Sequence, residues 1–195
     1  MKVLYLTNSN TNKKEEILDF LFLHHRDIQI YTEKISLEFI TFNKIDFILS
    51  DRYSYIIPEN VITYLKGHVI NTHPSYLPLN KGWAPNFFSI YNNDQCGISI
   101  HYVDRSIDTG SIIAQQKLTF LDDDTLRTTH YICRSTIIQV LVSNWLSIVN
   151  DLIKPVQQSK SGSYNSKKDF DSYFSYLTSG WDSKISEIKK ISSFH

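Results

Sequence analysis

The chain has 195 residues, enough for one domain with its own core and too few for two of full size. Its 20 Lys and Arg balance 20 Asp and Glu, so no overall field draws it to nucleic acid or anionic lipid, and neither is expected as a partner. Only two cysteines, Cys96 and Cys133, and an N-terminal apolar run that ends at Leu6 exclude a disulfide framework and predict a cytoplasmic protein with no signal peptide and no membrane span.

Residues 2–7 form a short apolar run with β-branched and aromatic members, and residues 12–24 then space Ile17, Leu18, Leu21 and Phe22 at helical intervals. A strand followed by a helix is predicted. Asp27 to Tyr31 predicts a second strand, while Asp46 to Ser50 and His68 to Thr72 are continuous apolar runs of the kind found in parallel strands buried on both faces. Pro58 to Leu65 suits a helix with proline in its first turn. The first seventy residues therefore predict a small wound α/β sheet.

From Asn71 to Asn86 the chain carries three prolines and a glycine, too many for a helix or central strand. A shaped loop directly after a buried strand is where open α/β sheets place their ligands. Further on, Cys96 to Val103 and Gly110 to Leu118 predict two strands joined by a polar turn with carboxylates at Asp104 and Asp108. A long helix is predicted over Asp123 to Asn150, with Asp122 to Asp124 suited to its N-terminus. After Pro155 a polar Ser/Lys stretch leads to an aromatic tail, read as an extension over 156–195 packed on a domain of residues 1–155. Lysines near 184–190 fit the solvated side of a short helix.

Asn71 and His73 lie two apart in an extended segment, so both side chains point to one side. An amide can donate to the oxyanion of an acyl-transfer reaction while an imidazole accepts a proton from an attacking amine. Asp108, and after it Asp104, are the candidate carboxylates to orient the imidazole. On residue pattern alone, Asn71 and Asp108 could equally satisfy loop backbone around a buried histidine. His130 and Cys133 lie three apart on the long helix without a further ligand pair, and no metal is predicted.

The stretches Val69-Ile70-Asn71-Thr72-His73-Pro74-Ser75-Tyr76-Leu77-Pro78, Lys81-Gly82, Pro85, Gly97 to Asp104 and Ile107-Asp108-Thr109-Gly110 together resemble the formyltransferase family, whose members use 10-formyltetrahydrofolate. The resemblance implies a Rossmann-like, mostly parallel sheet flanked by helices, with Asn71, His73 and Asp108 in the catalytic positions and 10-formyltetrahydrofolate as formyl donor. The run from Leu79 to Asn86 is similar to the branch that N-formylates nucleotide-linked amino sugars such as dTDP-4-amino-4,6-dideoxyglucose, a step of surface polysaccharide synthesis in bacteria. The segment Ser50 to Pro58 is similar to that branch's folate-pocket segment, and the resemblance implies folate contacts at Arg52, Tyr53, Ile56, Ile57, Asp104 and Ile107, and acceptor contacts at Ser75, Lys81, Gly82, Trp83 and Asn86. Trp83 offers an apolar face to a sugar or base, and Lys81 a cation to a pyrophosphate. Where glycinamide ribonucleotide relatives have a Gly-rich turn after the first strand, this chain has Thr7-Asn8-Ser9-Asn10-Thr11-Asn12. Rival readings are a formyltetrahydrofolate hydrolase, a formyltransferase acting on glycinamide ribonucleotide or methionyl-tRNA, and an idle binding homologue; a homodimer is expected from base rates.

Overall fold

A computed structural model describes residues 1–8, 16–159 and 161–193. The Asn- and Ser-containing turn after the first strand lies mostly outside the described residues. Four strands, β1 (Val3–Leu6), β2 (Ile28–Tyr31), β3 (Phe47–Asp51) and β4 (Val69–His73), alternate with helices α1 (Glu16–His24), α2 (Leu37–Phe42) and α3 (Glu59–Tyr64). All four pair in parallel, and β1 and β3 are buried at every position. Their apolar runs have no polar side because helices cover both faces.

Strands β6 (Gly97–Tyr102) and β7 (Ile112–Lys117) complete a six-stranded sheet of order β2-β1-β3-β4-β6-β7. Only β6 is reversed, pairing antiparallel with both neighbours, and a register shift between Ile100 and His101 bulges its pairing with β7. Helix α5 (Leu126–Val149) packs with α1 on one face, where Trp145, Leu141 and Ile148 meet Tyr5, Phe47, Leu49 and Ile70. The opposite face holds α2 and α3 through Ile40 and Val61 against Leu4, Leu6, Ile48 and Val69.

Among the described residues α5 is the one helix long and apolar enough, by length and composition, to cross a membrane. Its packing explains the composition: Trp145 is fully buried, and Arg134 forms an ion pair with Asp51 at 2.6 Å. The helix begins three residues later than predicted, because Thr125 and Thr128 make a reciprocal cap. Asp122 and Asp123 instead accept from Lys189 of α7 (Ile185–Ser192) and from Lys184, the N-cap of that helix. Pro58 precedes the first turn of α3 as its N-cap.

The sequence reading assigned no helix to 37–42 or 85–91. Helix α4 (Pro85–Tyr91) follows Ala84, a left-handed residue at φ 46°, and Asn86 through Tyr91 are all buried. A helix buried all round lacks an amphipathic period to read. Its Phe87, Phe88 and Tyr91 join Leu177 and Ile188 of the tail and aromatic residues of α6 (Lys167–Phe174) in a separate cluster. The tail also returns to the loop after β4: strand β8 (Tyr164–Asn165) lies parallel to β5 (Lys81–Gly82) as a two-stranded pair.

Candidate active site

Asn71 and His73 project from the same side of β4, at the carboxyl end of the parallel strands. The β4–β6 register sets His101 directly opposite Asn71, so a second imidazole faces the same space. The turn after β6 then carries Asp108 back over the three. Gly110 permits this return, since a Cβ there would stand 1.8 Å from the Tyr102 carbonyl oxygen. Asp108 itself is held in the left-handed region at φ 54°, a conformation aspartate tolerates better than most residues.

Asp108 is the hub. Its Oδ2 accepts from the Gly82 amide at 2.9 Å and lies 3.5 Å from His73 Nδ1. Its Oδ1 is 3.4 Å from His101 Nε2 and accepts from Asn71 Nδ2 at 3.3 Å. Asn71 Nδ2 is also 3.3 Å from His101 Nε2. The other nitrogen of each ring faces a backbone carbonyl: His73 Nε2 lies 3.0 Å from the Asn80 oxygen, and His101 Nδ1 lies 2.8 Å from the Tyr102 oxygen. A carbonyl only accepts, so His73 carries its hydrogen on Nε2 when neutral, which leaves Nδ1 as the basic nitrogen.

Burial holds the His73 imidazole below its ordinary value, against the opposing pull of the Asp108 charge and the Asn80 carbonyl. His73 is therefore neutral near pH 7, as a base must be. Burial alone would raise Asp108. The charge that His73 carries in acid, the hydrogen bond and charge of His101 and the Gly82 amide outweigh it, so Asp108 titrates well below the usual carboxylate range. The arrangement is an ionised carboxylate beside a neutral imidazole that can gain a proton at Nδ1, with a carboxamide N–H next to the carboxylate. That is a proton-accepting and oxyanion-stabilising set.

Helix α5 buttresses β4 from the far side. Thr72, between Asn71 and His73, donates to Asp51 Oδ1 at 2.5 Å, and Asp51 also accepts from Tyr5 Oη and Arg134. Asp51 is fully buried, and although desolvation opposes ionisation, Arg134, Arg52 and Thr72 keep it charged.

The six residues predicted to contact folate fall in two segments that the fold brings together. Arg52, Tyr53, Ile56 and Ile57 follow β3, Asp104 and Ile107 follow β6, and an Arg105–Glu59 ion pair at 2.8 Å ties the second segment to the start of α3. Val103 packs in the cluster that holds Tyr53 and Ile57. Ile56 and Ile107 are exposed. Tyr53 donates to the Glu33 carbonyl oxygen at 2.6 Å, and Asp104 closes a local turn by accepting from Thr109 Oγ1 and the Ser106 amide.

The predicted acceptor contacts divide. Lys81, Gly82 and Trp83 lie on or beside β5, next to Asp108, with Trp83 exposed and Lys167 Nζ 5.8 Å from its ring. Ser75 is buried within the loop and donates to the Leu79 carbonyl. Asn86 faces α5, where its amide donates to Thr129 Oγ1 at 2.9 Å and its oxygen accepts from Cys133. The fold turns Asn86 away from the cluster around Asp108, and Ser75 Oγ meets it through the Asn80 carbonyl oxygen, 3.4 Å away, which also faces His73 Nε2.

Sequence reasoning passed over His101 and Gln158. His101 carried a signal, a lone imidazole in an alternating strand ahead of the turn that bears Asp108. Gln158 carried none, yet its Nε2 donates to the carbonyl oxygens of Asp108 and Gly110 at 2.9 and 2.7 Å.

The formyl transferase family model matches residues 25–144. The crystal structure of the formyltransferase PseJ from Anoxybacillus kamchatkensis, in complex with UDP-4,6-dideoxy-4-formamido-L-AltNAc and tetrahydrofolate, is 35% identical over 98% of this chain and 100% of that one, with a TM-score of 0.90. The dTDP-4-amino-4,6-dideoxyglucose formyltransferase of Mycobacterium tuberculosis is 27% identical over 65% of this chain and 53% of its own length. Methionyl-tRNA formyltransferase of Fusobacterium nucleatum is 41% identical over 86 residues, 44% of this chain. The chain thus spans about half or less of these two curated relatives, 53% and 28% of their lengths. A sugar N-formyltransferase from Shewanella, 19% identical with a TM-score of 0.73, shares the fold. With a family model matched over more than half of its length and a full-length structural relative at 35% identity, the chain belongs to the formyl transferase family.

Proposed function

We propose that this chain transfers a formyl group from 10-formyltetrahydrofolate to the amine of a nucleotide-linked amino sugar. The observation that carries the reading is the convergence of Asn71, His73 and Asp108 around one space, with His73 Nδ1 3.5 Å from Asp108 Oδ2, in a chain that matches the whole length of a formyltransferase crystallised with a UDP-linked 4-formamido sugar and tetrahydrofolate. That relative favours a UDP-linked 4-amino sugar over the dTDP-linked type suggested by residues 79–86.

The residues suit the donor. Ile56 and Ile107 are exposed apolar side chains on adjoining segments beside Asp108, a setting for the flat rings of a folate, and Arg52 follows β3 on the same rim. When bound, the folate supplies an N-formyl group open to attack at carbon. In this reading Asn71 Nδ2, 3.3 Å from both Asp108 Oδ1 and His101 Nε2, turns an N–H from one of them to the formyl oxygen as it gains charge. His73 Nδ1 takes the proton released by the amine, and Asp108 stabilises the imidazolium so formed. One bond forms between the acceptor nitrogen and the formyl carbon, and one breaks between that carbon and the folate nitrogen. The proton lost by the amine can be returned by His73 to that nitrogen, so charge and atoms balance. Trp83 and Lys81, beside Gly82, are the candidate contacts for the sugar nucleotide.

The test is tetrahydrofolate release from 10-formyltetrahydrofolate with UDP-, dTDP- and GDP-linked amino sugars and with no acceptor. Release that depends on one sugar and disappears in His73→Ala supports the proposal. Release without acceptor would establish a hydrolase instead, and activity untouched by His73→Ala would refute the role of the cluster.

A further inference from the structure

Asn80 is fully buried in the left-handed region, φ 56°, and has every polar group engaged. Its amide donates to Ser163 Oγ at 2.8 Å. Its Nδ2 donates to Asp94 Oδ2 at 3.0 Å and Ser89 Oγ at 3.3 Å. Its Oδ1 accepts from Asn92 Nδ2 at 2.9 Å and Asn165 Nδ2 at 3.2 Å. A residue so anchored cannot rotate its peptide without breaking several buried bonds at once. The carbonyl of this anchored residue receives His73 Nε2–H at 3.0 Å and also lies 3.4 Å from Ser75 Oγ.

The same clamp holds the carboxylate. Lys81 and Trp83 donate their amides to the carbonyls of Ser163 and Asn165, each at 2.9 Å. Gly82 lies between them, and its amide is the one that reaches Asp108. Both partners of the base are therefore set by residues 80–83, and residues 80–83 are set by residues 163–165, roughly eighty positions further along the chain.

We infer that Asn80 is a positioning residue that locks His73 in the Nε2–H tautomer, and that the segment bearing Ser163 and Asn165 is a working part of the active site. The part of this inference that concerns turnover rests on the formyl-transfer reading of His73. None of Asn80, Ser163 and Asn165 touches the reacting atoms; they act by leaving Nδ1 as the ring nitrogen free to accept a proton on the Asp108 side.

The experiment uses the full chain labelled with 15N-histidine, as wild type and as Asn80→Ala, Asn165→Ala, Ser163→Ala and Ser163→Thr. Long-range 1H–15N spectra read the tautomer of His73 directly, without substrate. Wild type is expected to show a single form with hydrogen on Nε2, and the three alanine variants an exchanging mixture. In steady-state assays kcat should fall about tenfold to a hundredfold in Asn80→Ala and about threefold to tenfold in Asn165→Ala and Ser163→Ala, with KM changed less, as expected for a displaced base. Ser163→Thr, which keeps the hydroxyl, should restore both signals. Asn165→Ala removes one side-chain bond and keeps the backbone pairing with Trp83, so it carries the test if Asn80→Ala does not fold. Unchanged His73 spectra in every variant, or a kcat within about twofold of wild type in all of them, would overturn the inference. If wild type releases no tetrahydrofolate with any acceptor, formyl transfer is the reading that fails, and the spectra still decide the tautomer.

Discussion

Replacing Gly82 by alanine perturbs the point where the Asp108 carboxylate meets the clamp. Gly82 sits at φ +86°, and a Cβ added there would stand 2.5 Å from the Asn165 carbonyl oxygen and 2.7 Å from the Tyr164 ring. The left-handed backbone costs an alanine about 1–2 kcal/mol. Relieving the overlap forces β8 away from β5, and overpacking of this kind costs about 1–3 kcal/mol. The sum, about 2–5 kcal/mol, lowers the melting temperature of a 195-residue chain by about 5–12 °C at the usual unfolding entropy per residue. If the strands part, the Gly82 amide also withdraws from Asp108, so folate turnover should fall further than the fraction unfolded explains. The assay pairs a thermal melt with tetrahydrofolate release at a temperature where both proteins remain folded. A melting temperature within about 2 °C of wild type together with unchanged turnover would refute the reasoning, since the overlap is with backbone and a ring, not with the end of a flexible side chain.

Further outcomes follow from the same geometry. Because burial holds His73 below 6.5, kcat/KM should rise with pH through a midpoint under 6.5 and then level off; a rise centred above 7 would contradict a buried neutral base. Buried His73 also binds fewer protons than it does in the unfolded chain, so its contribution to stability is complete above pH 6.5 and lost as pH falls below it. Depressed Asp108 loses its contribution lower still, as pH drops below the ordinary carboxylate range. Denaturant titrations at pH 5 and pH 8 should therefore show the weaker fold at pH 5. Arg134→Leu strands the buried Asp51 charge and should cost about 3–5 kcal/mol, measured by urea unfolding; a loss under about 1 kcal/mol would show that Asp51 is protonated or rehydrated. Trp145→Ala opens the main core and removes a 2.7 Å bond to His25, with an expected loss of about 3–5 kcal/mol in the same measurement.

Strands β1, β3 and β4 were legible because each opens on an apolar run, as a strand buried on both faces does, with the polar residues of β3 and β4 gathered at their carboxyl ends. The β6–β7 hairpin was legible from alternation and a polar turn, and α5 from its period. Helices α2 and α4 were not, one being six residues long and the other buried on all sides. Asn71, His73 and Asp108 stand out in the sequence because two of them share one strand and the third follows a turn signal. The clamp does not. Gln158, Ser163 and Asn165 are ordinary polar residues in a Ser-rich stretch, and what distinguishes them is partners 48 to 85 positions away that local pattern does not encode. Asn86 illustrates the converse, a polar residue beside the functional loop whose hydrogen bonds turn it into the core.

The pairing of β5 with β8 also sets an order of events during synthesis. Asn80 and Ser163 are separated by 83 positions, which a ribosome adding roughly 5–20 residues per second needs roughly 4–17 s to cover. The strands that carry Asn71, His73 and His101 have all emerged before residues 163–165 exist. For that interval the loop with Asn80 and Gly82 hangs beside a nearly finished sheet without its partner, and His73 lacks the fixed carbonyl that settles its tautomer. The base is assembled early in the life of the nascent chain and tuned late.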